Sequence, residues 1–348
     1  MTSDSAVPGW TVTAPEPTVQ IDACDPPSLS VVIPYFKGEH VIREAVQSVL
    51  DQTLRPEEIV ICDDGSPDDL EAALGPLRAE VKIIRQENGG ISSAMNAAAH
   101  AATGDFLVQL DQDDAFLPRR LEAIAATVAA RPDVEVVATD AFIEQDGERV
   151  ITLGAVNPFQ ETDQRMAILH KCFFLWPSVR RSRLLAVGGY DESFQVMQDW
   201  ECFIRLVLDG GTTAFIHEPL YRWRLTPGSR SSRDRVANVE ALVRMTAKTL
   251  SSAQLDPAER ATAESLLASR RGWLAREQAR HAIETHAGDA RRRSLKLLLG
   301  RGFDRATRLK AAIAVLSPAI ARRFMARRRE QADPAVEALT QRGFRWPS

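Results

Sequence analysis

Short apolar runs alternate with segments of helical spacing over the first third of the chain, and this alternation limits the folds available to it. The runs that predict β-strands are 29–33, 58–62, 81–84 and 106–110. Apolar residues recur at helical spacing in 41–50, and a helix is expected over 91–102. The pattern predicts an α/β fold with a Rossmann-like, mainly parallel sheet and helices on both faces.

The second half of the chain changes character after residue 230. Strand candidates at 134–139, 150–153 and 214–216 enclose one amphipathic helix around Trp200, whereas Ala, Arg, Glu and Leu then dominate at helical spacing. The Pro, Thr and Asp content of the first residues is typical of a disordered segment. The sequence therefore predicts three parts, namely a disordered tail (1–27), a sheet-containing domain (28–231) and a helical, basic C-terminal region (232–348).

Polar side chains stand where the predicted strands end. The loops after the strands hold Tyr35, Asp63, Asp64, Asn88 and the acidic cluster 111–114. Ligands of doubly wound sheets bind beyond the carboxyl ends of the strands, where these loops gather. A ligand site is therefore expected at this edge.

Asp111 and Asp113 follow a buried apolar strand and give the strongest local signal. Two carboxylates on a tight turn can bind one Mg²⁺ or Mn²⁺ ion, with water and a diphosphate filling its other positions. Such an ion would neutralise charge on a leaving nucleotide diphosphate. An isolated D-x-D more often caps a helix, but its position at a buried strand end favours the metal hypothesis.

Asp63 ends the second strand, where a carboxylate can accept the ring N–H of a uracil or a ribose hydroxyl. The alternative is an ordinary turn in which Asp64 or Ser66 caps the next helix.

Asp199 stands at the start of the Trp200 helix and can act as a general base for an acceptor hydroxyl. Its alternative role is that of an N-cap.

Three arginines, Arg222, Arg224 and Arg230, surround a Pro-Gly-Ser stretch. Guanidinium groups match phosphate oxygens bidentately, so these residues can clamp donor phosphates, or contact the acceptor, from a mobile loop. Alternatively, they are solvated.

Seven motifs in fixed order resemble the family-two glycosyltransferases of GT-A fold. They are 30–35, 48–53, 62–66, 88–90 with 94–96, 110–114, 188–191 and 198–200. The resemblance extends over about 29–231 and implies a nucleotide-diphospho-sugar transferase whose catalytic domain is 28–231. It departs from the family pattern at three positions, Met95, Gln198 and Thr226.

The resemblance also implies roles for individual residues. The nucleotide-binding candidates are Pro34, Tyr35, Asp63, Asn88 and Asp111. Asp111 and Asp113 are the expected ligands of a divalent cation (Mn²⁺ or Mg²⁺), and Asp199 is the expected catalytic base. In-line attack by the acceptor hydroxyl then inverts the anomeric configuration, without a second carboxylate as nucleophile.

The residues from 291 to 330 are strongly basic in an otherwise acidic protein of net charge −4. Thirteen Lys or Arg stand against two acidic residues there and are interspersed with Leu, Ile and Phe. Such a composition indicates an anionic partner, and peripheral membrane contact through 291–330 is expected in preference to nucleic acid. The alternative is a helical subdomain with a solvated Arg face.

Four cysteines (Cys24, Cys62, Cys172 and Cys202) lie far apart without zinc-like spacing, which fits a reducing, cytoplasmic setting, either free or at the inner face of the membrane. The sequence thus predicts transfer of a sugar from a nucleotide-diphosphate donor, preferentially a UDP-sugar, to a cell-surface glycan or lipid-linked acceptor. Two alternatives stay open, a non-catalytic nucleotide-sugar binder and a sugar nucleotidyltransferase. A dehydrogenase is disfavoured because no G-x-G-x-x-G follows the first strand.

Overall fold

The structure, a computed structural model, describes residues 26–145, 147–225, 235–300 and 302–322. Its first half contains β1 (Leu29–Tyr35), α1 (Ile42–Leu50), β2 (Glu58–Asp63), α2 (Leu70–Leu74), a 3₁₀ helix (Gly75–Glu80), β3 (Lys82–Arg85), α3 (Ile91–Ala101), β4 (Phe106–Gln109), β5 (Ala115–Phe116) and α4 (Arg120–Ala130). The four strands and two helices expected from the alternating pattern lie here, within a few residues of their predicted bounds.

The second half adds strands that complete one sheet. It contains β6 (Val136–Gln145), β7 (Glu148–Thr152), α5 (Leu153–Val156), α6 (Gln164–His170), β8 (Ser178–Arg180), α7 (Arg181–Ala186), α8 (Gln198–Leu208) and β9 (Thr213–Arg224). The strand order is β3-β2-β1-β4-β8-β6-β9-β5, with β7 beside β6.

Strands β1 to β4 are mutually parallel, and the sheet becomes mixed beyond them. β8 pairs antiparallel with both β4 and β6, whereas β6 and β9 are parallel. The predicted α/β class is confirmed, and the parallel half is the half that the alternating pattern indicated. The sequence did not predict β8, because a strand of three residues is too short to show an alternation of apolar and polar side chains.

The core explains why the central strands are continuously apolar. All seven residues of β1 are buried, because helices cover both faces of a parallel sheet. α1 buries one stripe formed by Ile42, Ala45, Val46 and Val49 against this sheet. The carboxyl ends of β1 and β4 are thereby held rigidly side by side.

The described residues after 234 are mainly helical, as predicted. It contains α9 (Arg235–Ser252), α10 (Pro257–Glu284), α11 (Ala290–Leu299) and α12 (Arg305–Leu316). α9 contributes Ala241, Leu242 and Met245 to the core of the sheet domain. α10 begins with a capping box between Asp256 and Glu259.

The predicted disordered tail falls almost entirely on residues 1–25, and the predicted boundary near residue 231 falls on 226–234. Both lie outside the described residues, so the division into three parts stays a prediction. Within the described ranges, no helix has the length and apolar character needed to cross a membrane.

Candidate active site

A cavity of about 310 Å³ opens between the carboxyl ends of β1 and β4 and the start of α8. Its strand-end wall consists of Pro34, Tyr35, Asp64, Asp111 and Asp113. Its helix wall is the segment 195–200, which includes Asp199.

The cavity gathers six of the predicted site residues. They are Pro34, Tyr35, Asp111, Asp113, Asp199 and Arg224. Asp63, Asn88 and Arg222 do not line it. Arg230 lies outside the described residues.

Two donors fix the Asp111 carboxylate at the cavity surface. Trp176 Nε1 donates to Oδ2 at 2.9 Å, and Gln109 Nε2 donates to Oδ1 at 2.9 Å. The Trp176 ring stacks on Tyr221 with centroids 4.4 Å apart, and its backbone has φ +44°. A bulky residue in the left-handed region is rare and is found where the surroundings fix it, often at functional sites. Asp111 is therefore held in one orientation.

Asp114, next to the predicted metal ligands, is buried and joins the strand-end wall to β9. It accepts hydrogen bonds from the Tyr221 hydroxyl at 2.8 Å and from the Arg224 N–H at 2.9 Å. Burial, and then the negative charges of Asp111 and Asp113, raise the pKa of Asp114 well above its ordinary value. These carboxyl groups therefore lie close enough to interact.

Asp111 and Asp113 fit a divalent cation whose shell is completed by substrate and water. In the ranges that the structure describes, no group of three or more His, Cys, Asp or Glu could hold a metal ion. Mg²⁺ is commonly bound through one or two carboxylates plus substrate phosphates. Asp111 and Asp113 contribute, after burial, to the raised pKa of Asp114, and the same negative charges would favour a cation at this edge.

A third carboxylate on the strand-end wall, Asp64, holds the glycine turn before α3. It accepts N–H bonds from Gly89 at 2.8 Å and Gly90 at 2.9 Å, and Asn88 Nδ2 donates to its carbonyl at 3.0 Å. Gly90 has φ +86°, which glycine adopts without a steric penalty. Asn88 therefore shapes the loop and does not reach the cavity.

Asp63 lies in a neighbouring depression instead. It accepts the Ser66 N–H at 2.9 Å and pairs with Arg85 Nε at 3.3 Å. Tyr35 links the two spaces, since it lines the cavity and its hydroxyl donates at 2.8 Å to Asp68 in the depression. The alternative cap assignment fails, because Asp69 is the N-cap of α2 and accepts from Ala72 N–H.

Gln112, between Asp111 and Asp113, locks the turn onto the end of β1. Its Oε1 accepts from Phe36 N–H at 2.8 Å, and its Nε2 donates to Phe36 O at 3.0 Å. The paired amide bonds bring the turn and β1 to a fixed distance. A Cβ on Gly38 would meet this amide at 2.7 Å, so a larger residue is disfavoured there.

Asp199 is the second residue of α8 and not its N-cap. Met197 is the N-cap, with φ +60° and no side-chain cap bond. Asp199 Oδ1 accepts the N–H of Trp200 at 2.8 Å while the residue lines the cavity. The first turn of a helix favours a negative charge, so this position suits an ionised carboxylate.

Arg222 and Arg224 are bound by two glutamates rather than solvated. Both guanidinium groups hydrogen-bond Glu44 of α1, and both pair with Glu144 of β6, at 3.6 Å and 3.4 Å. Burial alone raises the pKa of Glu44, but the hydrogen bonds and charges of the two arginines hold it below its ordinary value. Only Arg224 of this group lines the cavity.

Known proteins share this architecture. Residues 30–183 match the family model described as Glycosyl transferase family 2. Residues 30–183 belong to this family. An uncharacterised glycosyltransferase of Rickettsia prowazekii is 25% identical over 209 residues, which are 57% of this chain and 64% of that relative. The chain spans less than two thirds of the curated relatives that head its matches, at 64%, 64% and 66%.

Two solved structures share the fold of the family-two domain. S. aureus TarS in complex with UDP-GlcNAc has a TM-score of 0.57 at 16% identity, over 87% of this chain and 92% of that one. The mannosyltransferase PcManGT of Pyrobaculum calidifontis, in complex with GDP-Man and Mn²⁺, has a TM-score of 0.54 at 19% identity, over 92% and 89%. The predicted GT-A fold is confirmed, and the predicted family-two glycosyltransferase identity is confirmed for residues 30–183.

The family-two match ends before the helix wall, which the C-terminal region supports. Lys248 on α9 donates at 2.6 Å to Asp191 and at 2.6 Å to Glu201. Arg244 Nη2 donates at 2.9 Å to Ser193 Oγ. α9 therefore holds both flanks of 195–200, and we call these contacts the α9 clamp.

The α9 clamp lowers the pKa of Asp191. Burial alone raises the pKa of this carboxyl, but hydrogen bonds from Lys248 and Ser193 lower it to about 2. Asp191 is therefore ionised whenever the clamp is formed near neutral pH.

The sequence analysis assigned no role to several residues that build the cavity. They are Gln112, Asp114, Trp176, Tyr221, Arg244 and Lys248. Asp114 stood beside the D-x-D, so its position was a usable signal. The others act through partners far along the chain, which no local pattern marks.

Proposed function

We propose that this chain is an inverting glycosyltransferase that moves a sugar from a nucleotide-diphosphate donor, a UDP-sugar, to a hydroxyl of a cell-surface glycan or a lipid-linked acceptor. One observation carries the proposal. Asp111 and Asp113 on the strand-end wall and Asp199 on the helix wall line the same cavity. A carboxylate pair for the diphosphate and a separate base are thereby available to one substrate.

The nucleotide is assigned to the strand-end wall and the adjoining depression. Pro34 and Tyr35 would contact the nucleoside, Asp63 the base or ribose, and Asp111 the ribose or diphosphate. Asn88 supports this site by shaping the glycine loop. The related folds of TarS and PcManGT bind UDP-GlcNAc and GDP-Man, which supports a nucleotide-sugar donor.

Asp111 and Asp113 would hold Mn²⁺ or Mg²⁺. The ion supplies neutralisation of the charge on the departing diphosphate. Arg224 adds a cation at the same cavity. We assign it to the donor phosphates, which would compete with Glu44 and Glu144 for its guanidinium.

Asp199 is assigned to the acceptor. It accepts the proton of the acceptor hydroxyl while that oxygen forms a bond to the anomeric carbon. The bond from this carbon to the diphosphate oxygen breaks, and its electron pair leaves with the nucleoside diphosphate. A single displacement from the opposite face inverts the configuration.

Ligand-dependent unfolding tests the donor assignment. Thermal unfolding is measured with UDP, GDP, UDP-GlcNAc and GDP-Man, each with and without Mn²⁺. A donor at a hundredfold excess over its Kd should stabilise the protein by about 2.7 kcal/mol, because it binds the native state alone. Asp113→Ala should lose the Mn²⁺-dependent part, whereas the surface variant Asp133→Ala should keep it.

The proposal is contradicted if none of these nucleotides raises the Tm of the wild-type protein with Mn²⁺. Retention of the full Mn²⁺-dependent shift by Asp113→Ala would contradict the metal assignment alone.

A further inference from the structure

Exposed apolar side chains are concentrated in the last two described helices. Six large hydrophobic side chains of the described residues face solvent, and five of them lie on or just after α11 and α12, namely Leu295, Leu299, Leu309, Leu316 and Ile320. Leu299 is 73% exposed and Leu316 is 80% exposed. The sixth, Val150, lies on β7.

The inner faces of the same helices carry mostly small residues. α11 buries Ala290, Ser294 and Leu297, and α12 buries Ala311 and Ala314. Four leucines of these helices, Leu295, Leu299, Leu309 and Leu316, stay exposed. Burial of leucine is favourable, so this concentration of exposed leucines on two contacting helices indicates a partner that covers them.

Exposed cations share this surface. Arg291, Arg292, Lys296, Arg305, Arg308 and Lys310 are exposed. On α11, Arg291 precedes Leu295 by four residues and Arg292 precedes Leu299 by seven, which places them on one side of the helix. On α12, Arg305 precedes Leu309 by four residues. We call these leucines, Ile320 and cations the basic leucine face.

The two acidic residues nearby neutralise this face only in part. Asp289 pairs with Arg293 at 2.6 Å and with Arg292 at 3.9 Å at the start of α11. Asp304 is the N-cap of α12 and accepts the Thr307 N–H at 2.6 Å. Both carboxylates are thereby held at helix N-termini, and six exposed cations stand against these two negative charges.

We propose that the basic leucine face lies on an anionic lipid surface. Its leucines would enter the boundary between headgroups and acyl chains, and its Arg and Lys side chains would bind headgroup phosphates. A second copy that presented the same face would oppose like cations, which disfavours a symmetric dimer through this face. The chain's own next residues are equally unsuited, because Arg323 and 327–329 are basic too.

Vesicle sedimentation with the full chain tests this proposal. The protein is centrifuged with vesicles of phosphatidylcholine alone and of equal parts phosphatidylcholine and phosphatidylglycerol. It should sediment with the anionic vesicles and not with the neutral ones. Added salt should release it, because screening weakens the attraction of cations to phosphate.

Two double variants separate the apolar from the electrostatic contribution to vesicle binding. Leu299→Ser with Leu316→Ser removes apolar contact, and Lys296→Glu with Lys310→Glu reverses charge. Each pair should lower the vesicle partition coefficient at least about tenfold. Val150→Ser and Arg55→Glu change an exposed apolar and an exposed basic side chain elsewhere, and both should bind as wild type does.

Absence of wild-type binding to anionic vesicles would overturn the proposal. Equal binding by the double variants would overturn it as well. It would also fail if ultracentrifugation of the vesicle-free protein showed an oligomer that Leu299→Ser with Leu316→Ser dissociates, since a second copy would then cover the face. Donor-induced stabilisation measured on the same preparations does not depend on this face, so failure here is distinguishable from failure of the proposed transfer reaction.

Discussion

The two walls of the cavity are built in different ways. The strand-end wall lies within the family-two segment and is fixed by contacts among its own turns, such as Gln112 with Phe36. The helix wall lies beyond that segment and is held by the α9 clamp. On the proposed assignment, donor binding and proton transfer would depend on separate parts of the chain, and mutations should separate them.

Asp199→Asn should separate turnover from donor binding more strongly than any other change. The amide keeps the size and the hydrogen bond of the carboxylate but cannot accept the acceptor proton. We expect kcat to fall on the order of a thousandfold, within the range of general base catalysis. Donor-induced stabilisation should stay as in wild type. Release of nucleoside diphosphate in the presence of an acceptor measures the first quantity, and thermal unfolding measures the second.

Asp133→Asn, a change at an exposed aspartate, is the matched control and should keep wild-type turnover. Wild-type turnover by Asp199→Asn would contradict the assignment of Asp199 as the base. It would also contradict the functional distinction between the two walls.

Lys248→Met tests whether the α9 clamp positions the helix wall. The methionine keeps much of the aliphatic side chain and loses the bonds to Asp191 and to Glu201, whose side chain is 3% exposed. We expect a loss of about 2 kcal/mol in unfolding free energy, typical of a hydrogen bond to a charged group. kcat should fall roughly tenfold because Asp199 is less well placed, while the donor Kd stays unchanged.

Lys248→Arg keeps the charge and should restore most of the kcat. A purely structural role would instead lower stability in Lys248→Met and leave the kcat of the folded protein as in wild type.

The different construction of the walls explains what the sequence could predict. Asp111 and Asp113 follow a buried apolar strand, so local pattern alone indicated their edge of the sheet. Asp199 was identified from a motif, but the support of its helix by Lys248 was not, because the contacts of Lys248 join residues 47 and 57 positions apart that share no local pattern. The predicted boundary near residue 231 likewise gave no hint that α9 packs on the sheet domain.

Trp176→Phe tests whether the hydrogen bond that orients Asp111 in the strand-end wall affects donor affinity. The phenyl ring can still stack on Tyr221, but the Nε1 donor to Asp111 is lost. One hydrogen bond to a carboxylate is worth about 1 to 2 kcal/mol, so donor affinity with Mn²⁺ should fall about fivefold or more. Calorimetric titration of the donor measures this change.

Trp273→Phe on α10 removes an indole donor far along the chain, to Glu277, and should leave donor affinity unchanged. Equal losses in both variants would mean that a general loss of packing, and not the orientation of Asp111, sets donor affinity.

The smallest expected effect is the acid dependence of the α9 clamp. The pKa of Asp191 is lowered from 3.8 to about 2 in the folded protein, so its ionised form stabilises the native state. This stabilisation is fully present above the unfolded value of 3.8 and is lost as pH falls toward about 2. Lys248→Met removes the main interaction that lowers the pKa of Asp191, so the difference in unfolding free energy between wild type and this variant should shrink across this acid window.

Urea unfolding at several pH values measures that difference. A difference that stays constant down to pH 2 would mean that Lys248 does not stabilise the protein through ionised Asp191, and the pH-independent support of the helix wall would then come from Arg244.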